Sequence, residues 1–443
     1  MNHQRTCLRD RVIGGDMRTT FYKFVATLLL AVFPTAAGAS GFLIFEAGGR
    51  ALGMGGAMTA KANDPSAIFF NPAGIAGLER TNIYLGTSLI FAGSEFAGVD
   101  PDPGFGVTEE TGTMVFPPSN LYVTHQLTPV IGIGLGVFNP FGLGQEWESP
   151  QTFSGRHIAD DVDLKSFYIN PTVAWSASDR LKVGAGLQVV HASVELHQFQ
   201  QQWDPNGNGF VDVGTLALDG DNGVDFGYNV GALLQLSDDW TVGASFRSEV
   251  DVTFDGDADF EQVPSGNPAL DAAVALVFPV DQPAGTEIEF PWIVSTGLAY
   301  GGVERWVFEV DVNIVGWSTF DELPFRFATD PSLNISRAQD WEDKVSVRTG
   351  AEYDATDNVA LRFGYYFDPT PQPRAGLSPI LPDVDRHGVS VGLGYKTDPW
   401  TFDFFTLVLF TGDRSTDGTS LDGYNGIYET FGNLFGVNVG YQF

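Results

Sequence analysis

The sequence predicts an all-β protein: a fourteen-stranded antiparallel transmembrane β-barrel with an N-terminal hatch, or plug. Glycine supplies 53 of the 443 residues, aromatic residues 13% and charged residues only 18%, against roughly 25% charged residues in soluble proteins. After the N-terminal segment no run of 18 apolar residues occurs, which excludes transmembrane helices. Short segments of alternating hydrophobicity recur to the C-terminus, as they do in membrane barrels.

The strands are predicted from period-two patterns that begin near residue 81. Short turns alternate with long links between them, the arrangement of periplasmic turns and extracellular loops in bacterial barrels. An even strand number leaves both chain ends on the periplasmic side. The predicted strands are 81–92, 119–127, 130–138, 163–176, 181–199, 223–236, 240–253, 287–300, 304–316, 344–354, 358–368, 387–396, 400–411 and 430–443.

The two faces of each strand can be assigned from charge. Arg348, Glu352 and Arg362 alternate with apolar residues, and a charge at the lipid midplane costs roughly 2–4 kcal/mol, so these side chains are expected to face the lumen. The last strand, "FGVNVGYQF", presents Phe435, Val437, Val439, Tyr441 and Phe443 on one face. That face is expected to contact lipid and to close the barrel.

The N-terminus is typical of a secretory signal peptide. A basic stretch precedes the apolar core "FVATLLLAVF" and the cleavage signature Ala37-Gly38-Ala39, so residues 1–39 are assigned to the signal and Ser40 to the mature N-terminus. The signal needs only Met17 onward, which makes Met17 a possible true start. The single cysteine, Cys7, lies before it, so the mature chain has no disulfide.

The charge of the exported chain is strongly negative. Loss of residues 1–39 removes five basic and two acidic residues and leaves 18 basic and 53 acidic ones, a net charge of −35. This balance disfavours nucleic acid as a partner, and we expect none. Acidic, solvated loops on a cell surface explain it, with divalent cations as an alternative. We expect a monomer in the outer membrane of a Gram-negative bacterium, in contact with lipid and lipopolysaccharide.

Residues 40–80 interrupt the alternating pattern. They are rich in glycine and alanine and too long for an ordinary loop. A lumen enclosed by fourteen strands leaks unless it is filled. We therefore assign 40–80 to a hatch in the periplasmic mouth and 81–443 to the barrel; a periplasmic tail is the alternative for 40–80.

Several motifs resemble one family over essentially the whole mature chain. "SGF", "GGRALGMGGA" and "DPSAIFFNPAGIAGL", followed by "SFYINPTVAW", "VGWSTFDELPF", "DWEDKVSVRTGAEY" and "LPDVDRHGVSVGLGY", are similar to the FadL-type outer-membrane transporters of long-chain fatty acids and other hydrophobic compounds. The resemblance implies a fourteen-stranded barrel with a hatch and passive, ligand-gated uptake. Cargo would pass from loops to an inner pocket, and then through a lateral gap beside a kink in the third strand.

The resemblance also implies roles for hatch residues. Asn71, Pro72 and Ala73 match the family's Asn-Pro-Ala motif, which is implied to lie at the kink. Pro72 lacks an N–H and Asn71 can bond exposed backbone; an ordinary turn is the alternative. Phe42 would form part of the inner pocket and act as a gate.

The third strand, "VIGIGLGVF", contains Gly132, Gly134 and Gly136 and ends at Phe138. Glycine within a strand often marks a bend, so these residues are candidates for the kink. Packing room for the hatch is an equal alternative.

Capture of a fatty acid requires an apolar surface and a cation. The fourth long loop offers Leu270, Val274, Leu276, Val277 and Phe278, and exposed apolar patches usually bind something; a self-packed loop helix is the alternative. For the carboxylate, the lumen candidates are Lys344, Arg348 and Arg362. Structural pairing with Glu352 and other acids explains these cations equally well.

The segment "DPNGNGFVD" resembles a calcium loop, with Asp204, Asn206, Asn208 and Asp212 at positions 1, 3, 5 and 9. Thr215 replaces the expected glutamate at position 12, and a plain Asn/Gly turn is the alternative. No cofactor is otherwise expected.

Catalysis finds little support in the sequence, because the histidines are scattered and no serine-rich elbow or phosphate loop accompanies them. We expect a channel for hydrophobic cargo, with long-chain fatty acids as the leading class. The alternatives are aromatic or aliphatic hydrocarbons in the same fold, or a surface adhesin or receptor.

Overall fold

The computed structural model describes residues 41–207 and 209–443, and within them fourteen antiparallel strands form a closed barrel. The last strand pairs with the first from Asn82–Gln442 to Gly98–Gly426, so the sheet has no free edge. This confirms the predicted strand number and closure. The barrel strands are β1 (Thr81–Gly98), β2 (Ser119–Thr128), β3 (Ile131–Phe138), β4 (Asp161–Ser176), β5 (Leu181–Asp204), β6 (Asp225–Gln235), β7 (Trp240–Arg247), β8 (Ile293–Val303), β9 (Trp306–Val315), β10 (Lys344–Asp354), β11 (Val359–Asp368), β12 (Arg386–Thr397), β13 (Trp400–Thr411) and β14 (Gly426–Gln442).

The connections alternate between short turns at one end of the barrel and long loops at the other, as predicted. The loops carry their own strands, which extend the sheet beyond the barrel: Thr108–Glu110, Met114–Phe116, Gly142–Glu146, Gly209–Asp221, Val250–Gln262, Gln282–Phe290, Glu322–Phe327, Ile335–Ala338 and Arg414–Ser415. The α-helices of the described residues are α1 (Gly49–Gly53), α2 (Ala67–Phe70) and α3 (Pro268–Val274), and the 3₁₀ helices are Pro72–Gly77, Trp317–Thr319, Pro331–Leu333 and Arg374–Gly376. None of the helices in residues 41–207 and 209–443 is long and apolar enough to cross a membrane.

The predicted strand faces are confirmed. Arg348, Glu352 and Arg362 are at most 8% exposed and lie inside, whereas Phe363 and Phe435 on the outer face are 47% and 51% exposed. Outward apolar side chains meet lipid, and inward polar ones meet the lumen, because the side chains of a strand alternate between its two faces.

Two predicted strands, 240–253 and 287–300, each merge two separate elements. β7 pairs with β8 as far as Arg247–Ile293, and a second hairpin starts at Val250–Phe290 above it. The alternating pattern continues across this junction, so hydrophobicity alone does not reveal the break. Pro291, which has no N–H to donate to the ladder, marks it.

Residues 41–80 form no barrel strand and pack inside the lumen. Their backbone approaches the wall at glycines: a Cβ on Gly364 would lie 1.9 Å from the amide nitrogen of Gly55, and one on Gly243 would lie 2.1 Å from the carbonyl oxygen of Thr59. Any larger residue at these two wall positions would displace the plug.

Candidate functional site

Phe42, near the start of the hatch, lies in an aromatic box. It is 5% exposed, and its ring centroid is 4.7 Å from that of Trp317, 5.6 Å from Phe320 and 5.7 Å from Trp341. Two further rings, Phe141 and Phe290, are each 6.0 Å away. Edge-to-face contacts of this kind add to the free energy gained by burial, and an apolar ligand could replace them.

The residue before this box is held by charged groups. The amide of Gly41 donates to Asp383 (3.0 Å), and Arg386 donates both to the Gly41 carbonyl (3.1 Å) and to Asp383 (2.7 Å). Gly41 has a φ of +70° and lies against Trp341, so a side chain there would be strained and would clash. The hatch therefore enters the box in one conformation.

The barrel wall is interrupted after β3. The segment Gly142–Glu146 resumes the pairing with β4 one residue out of register, since Phe138 pairs with Tyr168 and Gly142 with Lys165. On its other side β2 begins only at Ser119, after Pro117 and Pro118, and no residue of β2 pairs with Gly142–Glu146 within the described chain. The wall therefore has a gap in its backbone pairing here, which ends where the Gly112 amide donates to the Glu146 carbonyl (3.2 Å) and Thr111 bridges Trp147.

The hatch covers this gap from inside. The amide of Gly142 donates to the Phe42 carbonyl (3.0 Å), and that of Ile44 donates to the Pro140 carbonyl (2.8 Å), around an antiparallel bridge between Leu43 and Phe141. Backbone groups left unpaired in lipid cost several kcal/mol each. One segment therefore both fills the aromatic box and satisfies the interrupted wall.

Two cavities adjoin this segment. The smaller, about 90 Å³, is lined almost entirely by apolar groups, including Phe42, Phe254 and Phe325. The larger, about 450 Å³, runs beside Ile44 and extends to Phe167, which is 48% exposed on the outer wall. Leu143, Leu164 and Leu381 line both. The site thus links an apolar pocket to the gap.

Comparison with known proteins identifies the family. Residues 30–443 match the family described as "Outer membrane protein transport protein (OMPP1/FadL/TodX)". The chain belongs to this family. It is 24% identical to a long-chain fatty acid transport protein from Salmonella typhi, over 97% of this chain and 100% of the relative.

Solved structures share the fold. A FadL homologue from Pseudomonas aeruginosa superposes with a TM-score of 0.80 at 18% identity, covering 91% of this chain and 100% of the homologue. The toluene transporter TbuX from Ralstonia pickettii gives 0.69 at 16% identity, covering 90% and 100%. Like the rest of the OMPP1/FadL/TodX family, the chain is an outer-membrane transport protein, and its relatives are transporters rather than enzymes.

The Asn-Pro-Ala motif lies elsewhere than the resemblance implies. Asn71 caps the 3₁₀ helix Pro72–Gly77 by accepting from the Ala73 amide (3.2 Å), and it donates to the carbonyls of Thr59 (2.8 Å) and Ala232 in β6 (3.1 Å). On the wall, Gly184 of β5 lies against Pro72, and Gly231 of β6 lies against Asn71. The motif therefore fastens the hatch to those strands and does not lie at the interruption of β3.

The glycines of β3 do not form the kink. Gly132, Gly134 and Gly136 pair with both neighbouring strands, although the β2 register shifts by one residue between Gln126 and Thr128, beside Gly132. A Cβ on these glycines would meet Ile68 or Ile75 of the hatch at 2.5–2.9 Å. They provide packing room, which was the alternative interpretation. The interruption begins after Phe138, at Asn139-Pro140, where the proline removes a donor.

The three predicted carboxylate-binding cations all have acidic partners. Arg362 contacts Glu352 (2.7 Å) and Asp403 (2.6 Å), Arg348 contacts Asp368 (3.0 Å), and Lys344 contacts Glu342 (2.8 Å). Of the three, only Arg348 lines either cavity. Structural pairing explains these positions, as the alternative interpretation stated.

The predicted apolar loop forms α3 and the turn after it. Leu276 and Val277 are 86% and 80% exposed, whereas Val274 is buried and Phe278 packs against Phe260. Leu270 is half-buried. None of these residues lines the two cavities, so the patch lies outside the inner pocket.

The predicted calcium ligands do not converge. Asp204 accepts from the Asn206 amide and from Asn267, whereas Asp212 pairs with Arg156 (2.9 Å). Asp212 lies opposite Gln201, which is three residues, or roughly 10 Å, along the strand from Asp204. Asn208 lies outside the described residues. Within the described residues no group of three or more His, Cys, Asp or Glu side chains could hold a metal.

Two acidic residues that hold the hatch were not predicted. Asp311 accepts from the amides of Met58 (2.8 Å) and Thr59 (2.9 Å), and Glu309 accepts from those of Ala60 (2.5 Å) and Lys61 (3.2 Å). Both are 1% exposed. The only signal in the sequence is two acids at i and i+2 on the lumen face of β9.

Proposed function

We propose that this protein carries long-chain fatty acids or similar hydrophobic molecules passively across the outer membrane. The observation that carries the proposal is the hydrogen bonding of the hatch to the wall at Phe42 and Ile44, beside an apolar cavity. A ligand that displaces the Phe42 ring would also move the segment that covers the gap. Binding and opening would then be one event.

The route has three stages. Cargo first meets the exposed apolar residues after α3, then enters the cavity around Phe42, and finally leaves through the gap between Pro118 and Gly142 into the membrane. No step requires catalysis, since burial of apolar surface drives entry. The barrel functions as a monomer, surrounded by lipid and lipopolysaccharide.

A hydrocarbon is the second candidate cargo. Among the described residues that line the smaller cavity, none is lysine, arginine or histidine. An apolar cargo without a carboxylate would need no cation there.

A disulfide between hatch and wall tests the proposal. Leu43 and Phe141 form a bridge flanked by two hydrogen bonds, the non-hydrogen-bonded type of pair, with Cα atoms about 4.5 Å apart, within disulfide range. In the double variant Leu43→Cys/Phe141→Cys, we expect oxidation to abolish uptake of a labelled fatty acid by whole cells and reductant to restore it. Each single cysteine variant is the control. Equal uptake by the cross-linked and reduced protein would refute gating by this segment.

Exposed residues of the loop offer a second test. Leu276→Ser/Val277→Ser is expected to leave the free energy of unfolding within about 0.5 kcal/mol of wild type, because both side chains are largely exposed. The cargo concentration for half-maximal uptake should rise several-fold. Unchanged uptake at limiting cargo would remove the loop from the route.

A further inference from the structure

Two tryptophans of the aromatic box have no hydrogen-bond partner for their indole N–H groups. Among the described residues three tryptophans are less than a tenth exposed: Trp147 at 1%, Trp317 at 0% and Trp341 at 4%. The Nε1 atom of Trp147 donates to the Pro379 carbonyl (3.1 Å), whereas those of Trp317 and Trp341 are buried without a partner in the described chain. A buried indole N–H normally has an acceptor, so two acceptors are missing from the box.

The groups around these two indoles are aromatic rings. The ring centroids of Trp317 and Trp341 are 5.0 Å apart, and that of Phe42 lies 4.7 Å from the first and 5.7 Å from the second. The centroid of Phe320 is 5.0 Å from that of Trp341. The face of an aromatic ring accepts an N–H only weakly. Each indole therefore retains most of the cost of burying a donor without an acceptor.

Trp341 borders the smaller cavity together with Phe42. A Cβ on Gly41 would lie 2.6 Å from the Cζ3 atom of Trp341, which is at the opposite end of the indole from Nε1. The N–H of Trp341 therefore lies away from the anchored start of the hatch. Three leucines line both cavities, so a molecule with its polar end in the box has the larger cavity, about 450 Å³, for its chain.

The charges beside the smaller cavity disfavour an anion. Its described lining contains no lysine, arginine or histidine, and its two charged residues are Asp219 and Asp257. These aspartates pair across neighbouring loop strands. Both would repel a carboxylate, whereas neither repels an uncharged oxygen. The missing acceptor is therefore expected to be neutral.

We propose that Trp317 and Trp341 donate hydrogen bonds to a neutral oxygen at one end of a hydrophobic cargo. This inference rests on the proposed uptake function and names its cargo class: alkyl esters, ketones and alcohols. A carbonyl oxygen has two lone pairs and can accept from both indoles, in the place of the Phe42 ring that the cargo displaces. A fatty acid would enter as the neutral acid, because burial disfavours the charged form of a carboxyl. A hydrocarbon leaves both donors unsatisfied.

The test compares an ester with an alkane. Equilibrium binding of a radiolabelled 16-carbon methyl ester, its free acid and hexadecane can be measured on the purified protein in neutral detergent. Trp317→Phe and Trp341→Phe should each lower affinity for the ester about 2- to 10-fold, the range expected for one neutral hydrogen bond, and leave hexadecane affinity unchanged. The double variant should lose both contributions. Affinity of wild type for the acid should fall from pH 5 to pH 8, because only the neutral form binds, whereas ester affinity should stay constant.

A second measurement needs no substitution. In infrared difference spectra of wild type, the ester should move the indole N–H stretching band to lower frequency, and hexadecane should not. The control variant is Trp400→Phe, which removes an indole that is 43% exposed on the outer wall and should change no affinity. Retained hexadecane binding shows that the box variants are folded.

Three outcomes would count against the donors. An unchanged ratio of ester to hexadecane affinity in the double variant, a wild-type N–H band that the ester does not shift, or acid binding that strengthens as the pH rises would overturn this site. Each of these would leave uptake of hydrophobic cargo standing. A wild-type protein that binds none of the three probes would overturn the proposed function and this site with it.

Discussion

Replacing Glu309 and Asp311 together by alanine is expected to detach the hatch and convert the closed barrel into a leaky pore. These two carboxylates accept hydrogen bonds from four consecutive backbone amides, those of residues 58–61. Each buried donor left without an acceptor costs roughly 1–3 kcal/mol. Among the described residues, all the hydrogen bonds between the hatch and β9 go to these two carboxylates, so that side of the plug should separate from the wall.

The leak can be measured in cells. A hydrophilic antibiotic too large for ordinary porins should inhibit growth at a concentration at least about tenfold lower in cells that make the double variant, since a fourteen-stranded lumen is wide once it is unfilled. The matched control is Asp259→Ala/Glu261→Ala, two exposed acids with the same i, i+2 spacing on the loop strand Val250–Gln262. Wild-type resistance in the Glu309/Asp311 variant would show that other contacts hold the hatch.

Arg362→Met is expected to destabilise the protein without altering its choice of cargo. Arg362 bridges Glu352 and Asp403. Glu352 also pairs with Arg50 of the hatch, and Asp403 accepts a hydrogen bond from the Tyr84 hydroxyl. Removal of one partner from a buried ion pair costs about 3–5 kcal/mol, because the remaining charges stay buried. The midpoint of denaturant unfolding in detergent should therefore fall clearly.

Lys344→Met is the control for the loss of stability expected in Arg362→Met. Lys344 pairs with Glu342, whose side chain is 72% exposed, and a surface pair of this kind contributes about 0–1 kcal/mol. Arg362→Met should lower binding of acid and ester in proportion, if at all. A selective loss of acid binding in Arg362→Met would contradict the structural role and restore it as a carboxylate ligand.

The fold could be predicted because apolar and polar residues alternate along the strands of a membrane barrel, and this alternation can be recognised in the sequence. Lipid outside and polar groups inside force strict alternation, so residues such as Phe363 and Arg362 could be assigned to faces from sequence alone. Alternation does not reveal a change of strand partner, as at Arg247–Val250, or the additional strands that the loops form.

The site was less predictable, because pairing of charges is a three-dimensional property. Arg348, Arg362 and Arg247 look alike in sequence; only the fold shows that Asp368, Glu352 and Asp403 neutralise the first two. Glycine permits a bend, so the sequence predicts the interruption at the glycines of β3, whereas in the structure it begins at Asn139-Pro140, where the proline removes a donor. Phe42 was predicted through the family resemblance, and its partner residues come from four distant parts of the chain.

The tight contact between hatch and wall also constrains biogenesis. The hatch bonds to Asn438 on β14, Ser390 on β12, Asp311 on β9 and the Ala232 carbonyl on β6, and at Gly364 its backbone touches that of the wall. A plug encircled this closely cannot be threaded through a finished ring. We expect β1 and β14 to pair around a hatch that has already folded. Closure of the barrel and its insertion into the membrane would then finish together.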